Sequence, residues 1–569
     1  MKLIATLSLA IVCAGATLGY AQQAQPRTSR EDALDPSPID PKVDPNIDMF
    51  VNDWKNAIPR TMYGGVTFRD ILTKLEGPDP LHPMKRGAVL VNITAISYAT
   101  VAPGVRTTGR AAAGERQVFY STGGAGTLTV NSKSYDVKKG VGFTLTPDFA
   151  FALASSGKEP LTFYVRTEPL PANYVASPDV VVVNRFDNDR RVGAHWAHIN
   201  NGGVSGLTTI NIAPRTMPQP HSHPQEECWI MVEGETVLSL GKEIRRMTPG
   251  QAYKIPPTGI TAHSNLNLGE EPVEMIYLGP AAREGQAQGA RGAQGAQGAQ
   301  GGQQGRDFAR LENGAYNRAS EQDIDMFMGD WRNSFPRIMH GSLYFRDMLT
   351  TLQGADELHP TRRGAVLTNA EAVSYVQLEP GATAHKIDGE MKGIQQTFVV
   401  NSGTGVIISG SSRVELAKDM AFIITPGLDF RLTANGNQHM TFYVISEKIA
   451  AGFAPRATLE VADNRGRAAV TNAWVNQERP LISKTEGLSQ YGAVTQVTMK
   501  SMTMSRPYSS GPGVEEIWIA TDGDVDLLLG KELRKLRAGT AYRVPSTGVT
   551  AHTNINASGQ EARFLYLAK

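Results

Sequence analysis

The stretch "HSHPQEECWIMVEGE" at residues 221–235 sets two histidines one residue apart and follows them with a carboxylate. In an extended strand, side chains two positions apart leave on the same face, so His221 and His223 aim together. Glu227 can join them after a short bend, and "GQAYKIPPTGITAHSNLN" offers His263 from another strand. Three imidazoles and one carboxylate around one point suit one divalent transition metal: Mn, Fe, Ni, Cu or Zn. Glu227 is then both a ligand and a candidate base. His195 and His198, in "GAHWAHINNGG", are further candidates for catalysis, because the matching segment later in the chain, "NAWVNQERP", has neither. A histidine beside a metal can pass a proton or orient a ligand. The competing reading, an ordinary hydrogen-bonded histidine in a connecting strand, weighs more.

These residues sit in a chain that repeats itself. "IDMFVNDWKNAIPRTMYGG" at 47 is answered by "IDMFMGDWRNSFPRIMHGS" at 324. "GKEIRRMTPGQAYKIPPTGITAHSNLN" at 241 is answered by "GKELRKLRAGTAYRVPSTGVTAHTNIN" at 530. All six tryptophans form matched pairs: Trp54 with Trp331, Trp196 with Trp474, Trp229 with Trp518. Within each half, short alternating runs such as "TLTVNSKSYDV" and "ETVLSL", punctuated by Gly, Pro and Asn, read as two sets of strands. Ile47, Phe50, Val51, Trp54 and Ile58 fall at helical spacing before Pro59, so each half is expected to open with one helix. The expected fold class is all-β, with four barrels in two pairs.

His221, His223, Glu227 and Gly234 resemble the first cupin motif, and Gly250, Pro257, Gly259, His263 and Asn267 resemble the second, with one extra residue before the histidine. Arg215 stands where the first motif normally opens with Gly. The resemblance is strong over residues 180–279 and rests elsewhere on the duplication. It implies double-stranded β-helix (jelly-roll) barrels, arranged as two bicupin halves. It also implies a metal centre of His221, His223, Glu227 and His263. The organisation it suggests is 47–179 (helix plus barrel 1), 180–280 (barrel 2, with the metal site), 309–457 (helix plus barrel 3) and 458–569 (barrel 4).

Only barrel 2 keeps the full set. In barrel 4, Tyr508 and Ser510 replace the histidines while Glu516 and His552 remain. Gln117 takes the glutamate position in barrel 1 and Gln396 in barrel 3, where His385 lies too far from Gln396 to stand in. Glu227, Trp229 and Met231 share a face of a regular strand, with Cys228, Ile230 and Val232 on the other. Trp518 repeats Trp229 where no metal set exists, which favours packing for both. Tyr253 is matched by Tyr542 and read as core. Arg215 is read as solvated.

The remainder of the chain sets limits. The 56 basic residues against 55 acidic give a net charge of +1, which supports neither a nucleic-acid nor an anionic-membrane partner. Residues 1–21 read as a signal peptide cleaved after Ala21, 22–46 as a disordered segment, and the Gly/Ala/Gln stretch 281–308 as a linker. No other segment is apolar and long enough to span a bilayer. After cleavage only Cys228 remains, so no intramolecular disulfide is expected. The expectation is an exported protein, periplasmic or extracellular, acting on a small molecule. The family resemblance adds a metal-dependent enzyme, of dioxygenase type or an oxalate-type decarboxylase, and allows homo-oligomers. The alternative is a non-catalytic cupin holding a sugar or other small ligand.

Overall fold

The computed structural model describes residues 39–569 except 43, 171, 173, 186–190, 193–197, 205, 224, 260, 280–320, 473 and 475. Strands dominate, and no α-helix occurs among the described residues. Each barrel is a large sheet facing a small one. In barrel 2, seven strands run in the order 51–53, 251–254, 228–233, 273–278, 207–212, 198–204, 191–192, opposite three, 243–247, 236–240, 263–266. Barrel 4 repeats this order, with a two-residue strand, Thr503–Met504, added to the small sheet. Barrels 1 and 3 each pair an eight-stranded sheet with a four-stranded one.

The expected opening helix is not formed. Ile47–Phe50 and Trp54–Asn56 are single 3-10 turns, with the strand Val51–Asp53 between them. Asn46 and Asp53 each accept a backbone N–H two residues on, so each starts a turn of its own. Val51–Asp53 is drawn out by pairing with Gln251–Lys254, in the register Val51 to Tyr253. Tertiary pairing has overridden a helical spacing. The second half does the same at Ile324–Phe327, Met328–Asp330 and Trp331–Asn333.

Val51–Asp53 thus precedes barrel 1 in sequence but lies in the sheet of barrel 2. Conversely, Val181–Asn184 pairs with Val141–Leu145 of barrel 1. This exchange ties each pair together, and one apolar core runs between the facing large sheets. Cys228 and Ile230 of barrel 2 are buried there with Val118 and Tyr164 of barrel 1. The strand is covered on both faces, as its two apolar faces foretold. Burial pushes the Cys228 thiol well up, so it stays a protonated core residue.

Trp54 explains one fixed glycine. It stacks on Tyr98 at 4.8 Å and covers Gly250, whose φ is +98°. A Cβ on Gly250 would lie 2.5 Å from Trp54 Nε1. Trp331 covers Gly539 in the same way.

The halves meet through barrels 2 and 4, which share a buried apolar cluster including Met217, Leu266, Trp474 and Ile555. Arg215, expected to be solvated, is instead part of this contact. Its guanidinium lies 3.3 Å from Asp526, and its carbonyl accepts the N–H of Leu533. No helix among the described residues is long and apolar enough to cross a membrane.

Candidate metal centre

Pro218 and Pro220 keep the approach to the site extended, and His221 then forms an isolated antiparallel bridge with His263. His221 N to His263 O is 3.4 Å and the reverse bond is 3.0 Å. That bridge joins the first motif to the second and sets the two imidazoles 4.2 Å apart between ring centres. His223 leaves on the same side, 5.6 Å from His221 and 5.2 Å from His263. Glu227 stands just before the strand Cys228–Glu233, held by a bond from Ile255 N to its carbonyl.

The four side chains are all buried, and each offers a ligand atom within 4.8 Å of the others. His223 Nε2 lies 2.9 Å from Glu227 Oε2, and His263 Nε2 lies 3.2 Å from Oε1. Trp229 Nε1 donates to Oε1 at 2.7 Å, and the backbone carbonyl of Gln219 lies 3.0 Å from His221 Nδ1. The second contact fixes a ring orientation with Nε2 turned inward. Burial pushes the Glu227 carboxyl up, but the two imidazoles against it outweigh this and hold it well below the usual carboxylate range. It is a carboxylate.

These residues fit a divalent transition metal. The donors are three nitrogens and one anionic oxygen, converging and preformed. His223 is buried, its Nδ1 makes no hydrogen bond among the described residues, and its Nε2 has only the Glu227 carboxylate beside it. Buried polar atoms ordinarily find partners, and a metal at the centre would supply one to a ring nitrogen of His223.

The structure thus brings together His221, His223, Glu227 and His263. Of the other two candidates it describes no side chain. His195 lies outside the described residues. His198 opens the strand His198–Val204, with its backbone paired to Ile212, and its side chain is also outside them. Tyr253 is core, as expected, and its hydroxyl accepts from Asn265 at 2.8 Å. Trp229 does more than pack, because its indole N–H holds the Glu227 carboxylate. A bare count of matched tryptophans hides that role.

The other barrels show what fills the position otherwise. In barrel 4, Tyr508 bridges His552 as His221 bridges His263. Glu516 accepts from Tyr508 at 2.6 Å, from Trp518 at 2.7 Å and from Ser510, with His552 Nε2 at 2.9 Å. Burial raises this carboxyl, yet His552, Ser510 and Tyr508 bring it down to about 2. Both carboxylate oxygens are taken up within the cluster, while His552 Nδ1 is buried without a hydrogen bond among the described residues. In barrel 1, Tyr63 donates to Gln117 at 2.7 Å. In barrel 3, His340 Nε2 meets Gln396 Oε1 at 2.8 Å. His340 is a buried residue that sequence reading overlooked. Its signal was the repeat itself, which sets His340 opposite Tyr63, each before a glycine.

Residues 208–279 match the family model described as Cupin domain. No curated protein matches the chain. Among solved structures, it is similar to oxalate decarboxylase from Bacillus subtilis at pH 4.6, with 11% identity over 42% of this chain and 78% of that one, at a TM-score of 0.30. The same enzyme, in a study of its Mn(II) centres, gives 12% identity over 41% and 78%, at a TM-score of 0.30. Protein Ylba from E. coli gives 11% identity over 41% and 91%, at a TM-score of 0.32. The barrel that gathers three histidines and a glutamate is the one the family model matches: the chain carries a cupin domain at residues 208–279.

Proposed function

We propose that this protein is an exported metal-dependent oxidoreductase of dioxygenase type, acting on a small organic substrate at one centre in barrel 2. The observation that carries the reading is the contrast between equivalent carboxylates. Glu516 is tied by hydroxyls, while Glu227 faces three imidazoles whose nitrogens converge on one point.

A divalent transition metal held by His221, His223, Glu227 and His263 would supply a Lewis acid for a substrate oxygen or dioxygen. The chain's residues supply the rest. His221, His223 and His263 offer a face of nitrogen donors. Trp229 holds Glu227 Oε1, while Oε2 lies against His223 Nε2, so the carboxylate is positioned from both sides and would take a substrate proton only through Oε2 once His223 turns to the metal. Burial of all four excludes bulk water and strengthens each interaction.

An oxalate-type decarboxylase is the second reading within the same class. The family resemblance sets ligands in both barrels of such enzymes, and each half here has at most one set, which favours the dioxygenase. The test is oxygen uptake by metal-loaded protein offered enediols, catechols and flavonols, beside carbon dioxide release from oxalate. Uptake that is absent in His223→Ala supports the reading. Carbon dioxide release without uptake would replace it with the decarboxylase, and neither activity would leave a ligand-binding cupin. Amino-terminal sequencing of secreted protein, with Gln22 first, tests export.

A further inference from the structure

The contact between barrels 2 and 4 is built from equivalent positions of the duplication. Met217 and Met504, Ile244 and Leu533, and Leu266 and Ile555 all lie in its apolar cluster. A surface that meets its own duplicate in this way is self-complementary, the mark of a two-fold contact between like units. Left so, it would accept a second copy of the same barrel as readily as the other barrel.

One pair of positions breaks the symmetry. Arg215 and Met502 occupy the same left-handed turn, with φ of 53° and 55°. In both, the next residue, Thr216 or Thr503, donates its hydroxyl back three residues at 2.6 Å. Val237 and Asp526 are likewise equivalent, paired in register with Leu266 and Ile555. On one side of the contact Met502 and Val237 belong to the apolar cluster. On the other, the Arg215 guanidinium lies 3.3 Å from Asp526, which is 2% exposed.

We propose that Arg215 and Asp526 form a pairing key that makes this surface accept only the unlike barrel, so that it closes within one chain instead of joining second copies. Two second barrels would set Arg215 against Val237, leaving the guanidinium only the carbonyl of Leu268 and the exposed Glu270 of its own barrel in place of Asp526. Two fourth barrels would set Asp526 against Met502, leaving Lys535, at 3.0 Å and largely exposed, as its cation. A half-buried charge without its partner costs more than the apolar pair it replaces. The key also braces the candidate centre, because Leu266 of this contact and His263 share one strand.

Arg215→Met, Asp526→Val and the double variant test this, since the double variant copies the Met502 and Val237 pair. Each single substitution is expected to lower the melting temperature by several degrees, with the double variant recovering most of the loss. Full-length proteins carrying an engineered protease site in the linker are then unfolded, refolded and cut. Native mass spectrometry weighs the paired halves. The unsubstituted protein is expected to give only first-with-second pairs, and the double variant first-with-first and second-with-second pairs as well. Additive losses in the two single variants, or only unlike pairs from the double variant, would overturn the proposal. Neither readout depends on a metal or an activity.

Discussion

Trp229 donates its indole N–H to Oε1 of Glu227 at 2.7 Å, from two residues along the chain. The bond holds the carboxylate with Oε1 near His263 and Oε2 near His223. The same relation joins Trp518 to Glu516 at 2.7 Å in a barrel where hydroxyls complete the cluster. The tryptophan is therefore a holder of the carboxylate in both, and only its neighbours decide what the carboxylate serves.

Trp229→Phe keeps a ring against Tyr277, which lies 5.1 Å away, and removes the donor. Metal affinity is expected to fall roughly 10- to 100-fold, the usual cost of losing an outer partner of a ligand. Isothermal titration with Mn(II) or another candidate ion measures it, beside a melting curve to show that the fold is kept. An unchanged affinity would make Trp229 a packing residue after all.

Glu516 gives a pH prediction free of any metal. Its folded value of about 2 lies below the ordinary 4.5, so it adds stability that is complete above the unfolded value. That stability is lost as pH falls from the ordinary value towards about 2. Over this window the protein is expected to lose roughly 3 kcal/mol more than Glu516→Gln does. Urea unfolding at a series of pH values gives the difference, and parallel curves for the two proteins would refute it.

Gly250 tests the covering role of Trp54. Gly104 has a φ of +73° and nothing within 4 Å of an added Cβ, so Gly104→Ala meets backbone strain alone, about 1 kcal/mol. Gly250→Ala adds a clash with the indole and is expected to cost about 2 kcal/mol more. Gly539→Ala should match Gly250→Ala. Equal losses at positions 104 and 250 would mean that Trp54 yields without cost.

Glu226 clamps barrel 1 to barrel 2. Its carboxylate accepts Val91 N at 2.7 Å and Asn92 N at 2.8 Å, while Lys254, fully buried, lies 3.6 Å away and donates to Val89 O at 2.6 Å. Glu226→Ala leaves that ammonium buried without a carboxylate and is expected to cost about 3–5 kcal/mol. Adding Lys254→Met should recover part of it. Denaturant melts of the single and double variants settle the coupling, and a loss under 1 kcal/mol in Glu226→Ala would contradict it (about the worth of an exposed pair).

Much of the site was legible because its grammar is local. A His-x-His pair on a strand, a carboxylate after a bend and a matched second motif placed His221, His223, Glu227 and His263 together, and the structure gathers them. The repeat laid out four barrels for the same reason: alternation and turn residues act over a few positions. What escaped reading was long-range. Val51–Asp53 has helical neighbours but a strand partner two hundred residues on, at Gln251–Lys254. Ile58, placed on a buried helical face, is 88% exposed once that helix is undone. Arg215 finds Asp526 from the other half of the chain, and His340 reaches Gln396 from a preceding segment. No local pattern announces such partners.

Metal content of the purified protein, measured beside His221→Ala and His552→Ala, tests the central claim most directly. The expected result is about one equivalent of a transition metal in the unsubstituted protein, unchanged by His552→Ala and lost in His221→Ala. No metal before or after reconstitution, or a metal that survives His221→Ala, would contradict a single working centre in the second barrel.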